Sequence, residues 1–341
     1  MLNVRPRRDA DPAPDAEGGP DNGSAAEPAP ATRSGRPSLR TGRAQSTSAS
    51  RRYRSSWGDR GAFLPRTIGK RARAAEVAWQ LAPLCDVPDT VLDGGRLGPL
   101  EVRAASTRGT SHRCDGTVRQ DAVGLLTHRD GFLLAAVADG LGSAPDSHRG
   151  AQLAVAHSLD YVSWALNRRR MSEVDLEAAI DAADRAIRAA GPRPEDRAST
   201  LTIAVTSVEP YNFCHGFRVA RVGDGSAFLL GGGEFRQLFG GRGTDGDDPD
   251  TVVHDTRTAC LPDRVGAVEQ VDSRLEPGQA LVLVTDGVGI PLTVPEIATY
   301  LAECWSEPPG PVEFLHTMQF RAKSFDDDRS AVVIWAPKAV S

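Results

Sequence analysis

Three apolar runs in this chain end in an aspartate followed by a glycine: FLLAAVAD-Gly140, FRVARVGD-Gly225 and ALVLVTD-Gly287. A fourth run is the mirror case, with Asp326-Asp327-Asp328 standing, one arginine apart, before SAVVIW (330–335). Gln120-Asp121 opens onto another apolar stretch, Val123 to Leu126. Short apolar runs bounded by turn residues read as buried strands. If these strands share a sandwich, Asp139, Asp286 and Asp328 meet at one rim. The glycines let the backbone bend sharply there and approach a ligand closely. Carboxylates crowded in this way repel one another, and either take up protons or recruit cations. All candidate donors are oxygens, with no Cys cluster and no H-x-x-x-H helix. Such a set selects Mg2+ or Mn2+, or else Ca2+, over zinc. An aspartate can bridge two such ions, and an ion pair acidifies a bridging water and screens an incoming phosphate. The plainer reading stays open beside this one. Asp-Gly is a common hairpin turn, above all for Asp224-Gly225, which lies between two short strands.

The rest of the 341-residue chain is uneven. Residues 1–74 are rich in Pro, Gly, Ala, Ser and Arg and nearly lack large aliphatics. Such a segment cannot bury enough apolar surface to offset its ordering entropy, so a disordered tail is expected over 1–74. The tail carries 15 Lys and Arg against 7 Asp and Glu, while the remainder carries 25 against 38. Its Arg/Ser-rich half, Arg33 to Arg73, is either an electrostatic tether to an acidic partner or a solvated leader. The folded part is acidic, so nucleic acid is not an expected partner for it. No run of about 18 apolar residues exists, so no membrane span is expected. The first residues lack the apolar centre of a signal peptide. Five scattered cysteines without a C-x-x-C suit a reducing compartment, and the expected location is the cytoplasm.

Residues 75–97 read as a linker or short helix, and a folded domain is expected over 98–337. Strands are predicted at 100–109, 132–139, 200–208, 216–222, 226–230, 280–286 and 330–335. Helices are predicted at 150–167, 172–190, 294–305 and 310–322. Strands come in runs with helices between the runs, which points to an α+β layered domain and not to a doubly wound parallel sheet. The Gly/Asp-rich loop 239–263 reads equally as a substrate-facing flap or an insertion.

Six segments then carry a resemblance. RQDAV (119–123), VADGLGS (137–143), ASTL (198–201), RVGDGSAFLL (221–230), LVTDGVG (283–289) and DDRSAVVI (327–334) resemble, in order, the signature blocks of the metal-dependent protein phosphatase family. This is the PPM type, also called protein phosphatase 2C-like, in its bacterial form. The resemblance covers about residues 100–336. It implies a four-layer α-β-β-α sandwich, two antiparallel sheets flanked by helices, with a dinuclear Mg2+ or Mn2+ centre at one end. By position, Asp139 would bridge both ions, the Gly140 carbonyl would bind the second, and Asp286 and Asp328 would hold the first. Asp121 would be a ligand or support one, and Asp224 matches the position of a third, weaker ion. The implied activity is hydrolysis of phosphoserine and phosphothreonine in proteins by attack of a metal-bound hydroxide.

The sequence also departs from the family pattern. Gln120 stands where many members have Glu, Leu141 where many have His, and Arg329 where Asn is common. The family's phosphate-binding Arg would fall at Gly116, so Arg113 or Arg119 is the expected substitute, since guanidinium grips phosphate bidentately. These departures leave a second expectation: a phosphatase-like module that binds phosphopeptides without turning them over. His112 precedes the first block, and reads either as a group assisting proton transfer or as a structural histidine. Cys114 reads as a small buried residue and not as a nucleophile.

Overall fold

The computed structural model describes residues 66–70, 87–239, 259–262 and 268–338. The chain divides into two units, 1–61 and 62–341, and all described residues belong to the second. Most of the 1–74 leader, part of the expected 75–97 linker and most of the 239–263 loop lie outside the described residues.

Eleven described strands build two antiparallel sheets. One sheet has the order β1-β2-β11-β10-β7-β8: β1 (Thr90–Leu97), β2 (Leu100–Thr107), β11 (Arg329–Trp335), β10 (Ala280–Val284), β7 (Ser226–Gly231) and β8 (Glu234–Gln237). The other has the order β3-β4-β5-β6-β9: β3 (Ala122–His128), β4 (Phe132–Ala138), β5 (Leu201–Ser207), β6 (His215–Val222) and β9 (Glu269–Leu275). Central strands such as β4 and β10 are buried on both faces, because a sheet lies on one side and helices on the other. That explains their unbroken apolar sequences. Leu133, Ala135, Val137, Leu281, Leu283 and Val332 fill the layer between the sheets.

A short helix α1 (Thr110–Asp115) precedes β3. Helices α2 (Ser147–Leu166) and α3 (Leu176–Ala189) cover the outer face of the β3–β9 sheet. Ala151, Ala154, Val155, Val162 and Ala165 of α2 recur at helical spacing and face that sheet. Asp175 caps α3 by accepting from the Ala178 amide at 3.1 Å. A single turn α4 (Asp286–Gly289) follows β10. Helices α5 (Pro295–Cys304) and α6 (Pro311–Met318) each begin with proline, whose missing N–H costs nothing there, and cover the other sheet. Trp305, Phe314 and Trp335 pack together beneath them. Buried indoles need acceptors. Trp305 Nε1 donates to Thr317 Oγ1 at 2.9 Å, and Trp335 Nε1 to the Trp305 carbonyl at 2.8 Å. The result is the expected four-layer α-β-β-α sandwich. Among the described residues, no helix is long and apolar enough to cross a membrane.

Three expectations change. Residues 90–97 of the expected linker are strand β1, paired with β2 along its whole length. Leader residues 66–70 are not free: the Ile68 amide donates to the Arg321 carbonyl at 2.8 Å, and the Arg321 amide to the Arg66 carbonyl at 2.7 Å. Asp224-Gly225 is not a hairpin turn, because β6 and β7 lie in different sheets. The same turn chemistry here carries the chain from one layer to the other.

Candidate metal centre

Strand register decides which carboxylates meet. In the β3–β4 pair Ala122 faces Ala138, so the next residues outward, Asp121 and Asp139, lie side by side. In the β7–β10 pair Ser226 faces Val284, which brings Asp224 toward Asp286 two positions on. In the β10–β11 pair Val284 faces Ala331, so Thr285 and Ser330 are neighbours beyond it. The chain therefore delivers carboxylates from five strand ends to one rim of the sandwich.

Asp121 is the innermost, 3% exposed. Its Oδ2 accepts from Thr285 Oγ1 at 2.8 Å and from Ser330 Oγ at 2.7 Å. These bonds tie one sheet to the other. With one proton per hydroxyl, a chain of donors runs from Arg119 Nη1 to Ser106 Oγ (2.5 Å), on to Ser330 Oγ (2.7 Å), and ends at Asp121. Oδ1 of Asp121 is buried and receives no amide or hydroxyl donor; the Asp121 and Asp139 carboxyls lie close enough to share a proton. Burial, then the Asp328 charge, pushes its pKa up to about 7. Asp139 is raised well above the ordinary carboxylate value by burial and by the neighbouring Asp121 and Asp286 charges. Asp286 is pushed up to about 6 by burial, then by Asp224 and Asp327. Asp327 is also raised, by burial first and by the adjoining carboxylates.

The loop after β4 is held from behind. Thr200 donates its amide to the Asp139 carbonyl at 2.8 Å, Ser199 Oγ donates to the same carbonyl at 2.9 Å, and the Asp139 amide donates to Thr200 Oγ1 at 3.1 Å. The ASTL segment thus fixes the turn that carries Asp139. Gly140 is required by space: a Cβ there would lie 2.7 Å from the Ser147 carbonyl carbon and oxygen and 2.9 Å from the Gln120 carbonyl oxygen. Gly287 packs equally tightly, its Cβ position being 1.9 Å from the Asp328 carbonyl oxygen.

Asp328 reaches the rim but is turned inward. It is 2% exposed, and Oδ1 accepts from the Gly109 amide at 2.6 Å and pairs with His112 Nδ1 at 2.8 Å. Oδ2 accepts from the Gln120 amide at 2.5 Å. Its carboxylate is therefore committed to fastening the 109–120 segment. Asp327, one residue earlier, has its side chain 56% exposed, with the remainder set among the other carboxylates, and its charge acts on both Asp139 and Asp286. Sequence reading selected Asp328 and not Asp327, since three consecutive aspartates give no sign of which one points outward. Thr285 and Ser330 were missed as well, although Thr285 adjoins Asp286 and Ser330 lies two residues after Asp328.

The two expected phosphate-binding arginines are engaged elsewhere. Arg113 grips Asp89 with Nε at 3.0 Å and Nη2 at 2.5 Å, and reaches Thr107 Oγ1 at 3.1 Å. Arg119 is 4% exposed and donates to Ser106 Oγ and to the Pro88 and Asp121 carbonyls. Both hold the first block in place and leave no fork for a substrate. His112 lies within the cluster: burial opposes its charged form, but Asp328, Asp327 and Asp121 together raise its pKa.

The donor set fits hard divalent cations. Carboxylates that share a partly buried rim, with one buried oxygen lacking an amide or hydroxyl donor, are stabilised by a positive ion more than by protein groups. Their ligand atoms are oxygens, which suits Mg2+ or Mn2+.

The protein phosphatase 2C family profile matches residues 108–316, more than half of the chain and all but the last of the blocks around this rim. The chain belongs to the protein phosphatase 2C family. Solved structures similar to this family member include RsbX in complex with magnesium, at 18% identity over 72% of this chain and 98% of that one, with a TM-score of 0.47. The catalytic domain of the serine/threonine phosphatase PstP in complex with two manganese ions is similar at 18% identity, over 70% and 99%, with a TM-score of 0.47. The Mycobacterium tuberculosis phosphatase PstP/Ppp is similar at 19% identity, over 70% and 99%, with a TM-score of 0.44. No curated protein sequence matches the chain.

Proposed function

We propose that this protein is a metal-dependent serine/threonine phosphatase that hydrolyses phosphoserine and phosphothreonine in other proteins. One observation carries the reading: Asp121, Asp139, Asp286 and Asp327 converge with their pKa values raised, and Asp121 Oδ1 is buried with no amide or hydroxyl donor. Asp139, the Gly140 carbonyl, Asp286 and Asp327 would hold two Mg2+ or Mn2+ ions, and Asp224 would help hold a third. Bound ions supply a water nucleophile near neutral pH and screen the phosphoryl charge. The chain's own residues do the rest. Asp121 sets the depth of the site through Thr285 and Ser330. Ser199 and Thr200 orient the Asp139 turn, and Asp328 holds the Gln120 backbone at the rim. Its three bonded partners support a position for Asp328 behind the ions.

Family membership supports phosphatase chemistry, and the acidic domain suits protein substrates over nucleic acid. The four described cysteines, Cys114, Cys214, Cys260 and Cys304, form no disulfide, which suits the cytoplasm. The test is phosphate release from a phosphothreonine peptide and from p-nitrophenyl phosphate, with Mn2+ or Mg2+ added and then with EDTA. Release that depends on metal and is lost in Asp139→Ala supports the reading. Tight phosphopeptide binding with no release, or full release in EDTA, contradicts it.

A further inference from the structure

His112 projects from α1 into the rim, and its side chain is 16% exposed. Its two ring nitrogens have different neighbours. Nδ1 lies 2.8 Å from Asp328 Oδ1, and Nε2 lies 3.9 Å from Asp327 Oδ1. The Asp328 carboxylate can only accept, so Nδ1 carries the hydrogen of that bond. Nε2 faces Asp327, and a lone pair is presented there whenever that nitrogen carries no proton. Metal-bound histidines have this arrangement: one nitrogen ligates, and the other donates to a carboxylate that fixes the tautomer and ring angle. The span also fits. Ligand atoms about 2.1 Å from one ion are separated by up to about 4.2 Å, and 3.9 Å falls inside that limit.

The ring is held by more than one bond. The Asp328 carboxylate that orients it is itself fixed by the Gly109 and Gln120 amides, at 2.6 and 2.5 Å. The Ser111 amide and hydroxyl both donate to the Asp326 carbonyl at 2.9 Å, which pins α1 to the segment bearing Asp327. His112 and Asp327 therefore sit on two pieces of chain bonded directly to each other.

We propose that His112 Nε2 is a nitrogen ligand to the divalent ion held by Asp327, with Asp328 as the positioning residue for the imidazole. The proposal rests on the metal reading of the site given above, and adds to an oxygen set one donor that the six sequence blocks do not contain. Its consequence is selectivity. A nitrogen donor shifts the balance away from Mg2+ and toward first-row transition ions, of which imidazole suits iron, nickel and zinc best and Mn2+ least. The rival occupant of Nε2 is a proton, which would make His112 an imidazolium paired with Asp327. Ion and proton exclude each other at that atom.

Pulsed electron paramagnetic resonance of the full-length chain loaded with Mn2+ separates the two. The expected result is hyperfine coupling from a directly bound 14N. It changes to the 15N pattern when the histidines are 15N-labelled, and it disappears in His112→Asn while Mn2+ stays bound. The wild-type spectra decide even where the variant fails to fold. Binding titrations should show Mn2+ affinity falling about tenfold or more in His112→Asn, with Mg2+ affinity falling less. Bound Mn2+ without directly coordinated nitrogen, or coupling that survives in His112→Asn, overturns the proposal and leaves the phosphatase reading standing. A wild-type chain that binds no Mn2+ overturns both.

Discussion

Thr285 Oγ1 donates a 2.8 Å hydrogen bond to Asp121 Oδ2, joining the end of a strand in one sheet to the start of a strand in the other. With Ser330 it supplies the donors that Oδ2 receives from side chains across the sandwich. A buried carboxylate needs such donors, and losing one exposes the desolvation cost of the group.

Thr285→Val keeps the shape and removes the donor. We expect a loss of about 1–3 kcal/mol in stability at neutral pH and a fall of about 10–100-fold in metal affinity. Chemical denaturation and a Mn2+ titration measure the two. A variant unchanged in both would show that the bond across the layers does nothing.

The raised pKa values fix the sign of a pH effect. Asp121 and Asp286 titrate near 7 and near 6 in the folded chain, against an ordinary 3.8. Between about pH 4 and pH 7 the folded state therefore binds more protons than the unfolded state, so the metal-free protein loses stability as pH rises. Bound cations cancel the same repulsion. The gain in Tm from Mn2+ over EDTA should be larger at pH 8 than at pH 5, as read by calorimetry. A gain that shrinks with rising pH would contradict the crowding account.

Asp139→Asn removes one of the crowded charges. In EDTA the variant should be more stable than the parent, by roughly 0.5–2 kcal/mol, as for functional residues held in unfavourable surroundings. Its metal-dependent hydrolysis should be lost. Lower stability in EDTA would mean that Asp139 is a structural group.

The neighbours Asp327 and Asp328 should separate cleanly. Asp327→Ala should fold with nearly unchanged Tm and lose metal affinity, since its side chain is 56% exposed. Asp328→Ala leaves the Gly109 and Gln120 amides without their acceptor, at about 1–3 kcal/mol for each buried donor. The opposite pattern of Tm and metal affinity would restore Asp328 as the outward-facing residue.

Much of this rim is legible in the sequence because two signals coincide there. FLLAAVA and ALVLV are short and apolar without alternation, as a strand covered on both faces is. Each ends abruptly in Asp-Gly, so Asp139 and Asp286 stand out. Asp327 and Asp328 do not, because alternation along β11 identifies opposite faces but not which of them meets the Gly109 amide. Strand β1 was hidden for another reason: TVLDGGRL is an edge strand, half-exposed or exposed throughout, and has no buried face to impose a pattern. Arg113 and Arg119 show the limit of reading by residue type. A guanidinium suits phosphate and buried carbonyls alike, and only packing against Asp89 and Ser106 tells them apart. Asp224-Gly225 has hairpin chemistry but joins two layers, since a tight turn reverses or diverts a chain with the same residues.

The most direct test is a crystal of the full chain soaked in Mn2+, with the ions located by anomalous scattering. The account expects two strong peaks between Asp139, Asp286 and Asp327, within ligating distance of the Gly140 carbonyl, and Asp328 still bonded to the Gly109 and Gln120 amides. Fully loaded crystals with no peak at this rim, or with manganese bound only elsewhere, would contradict it.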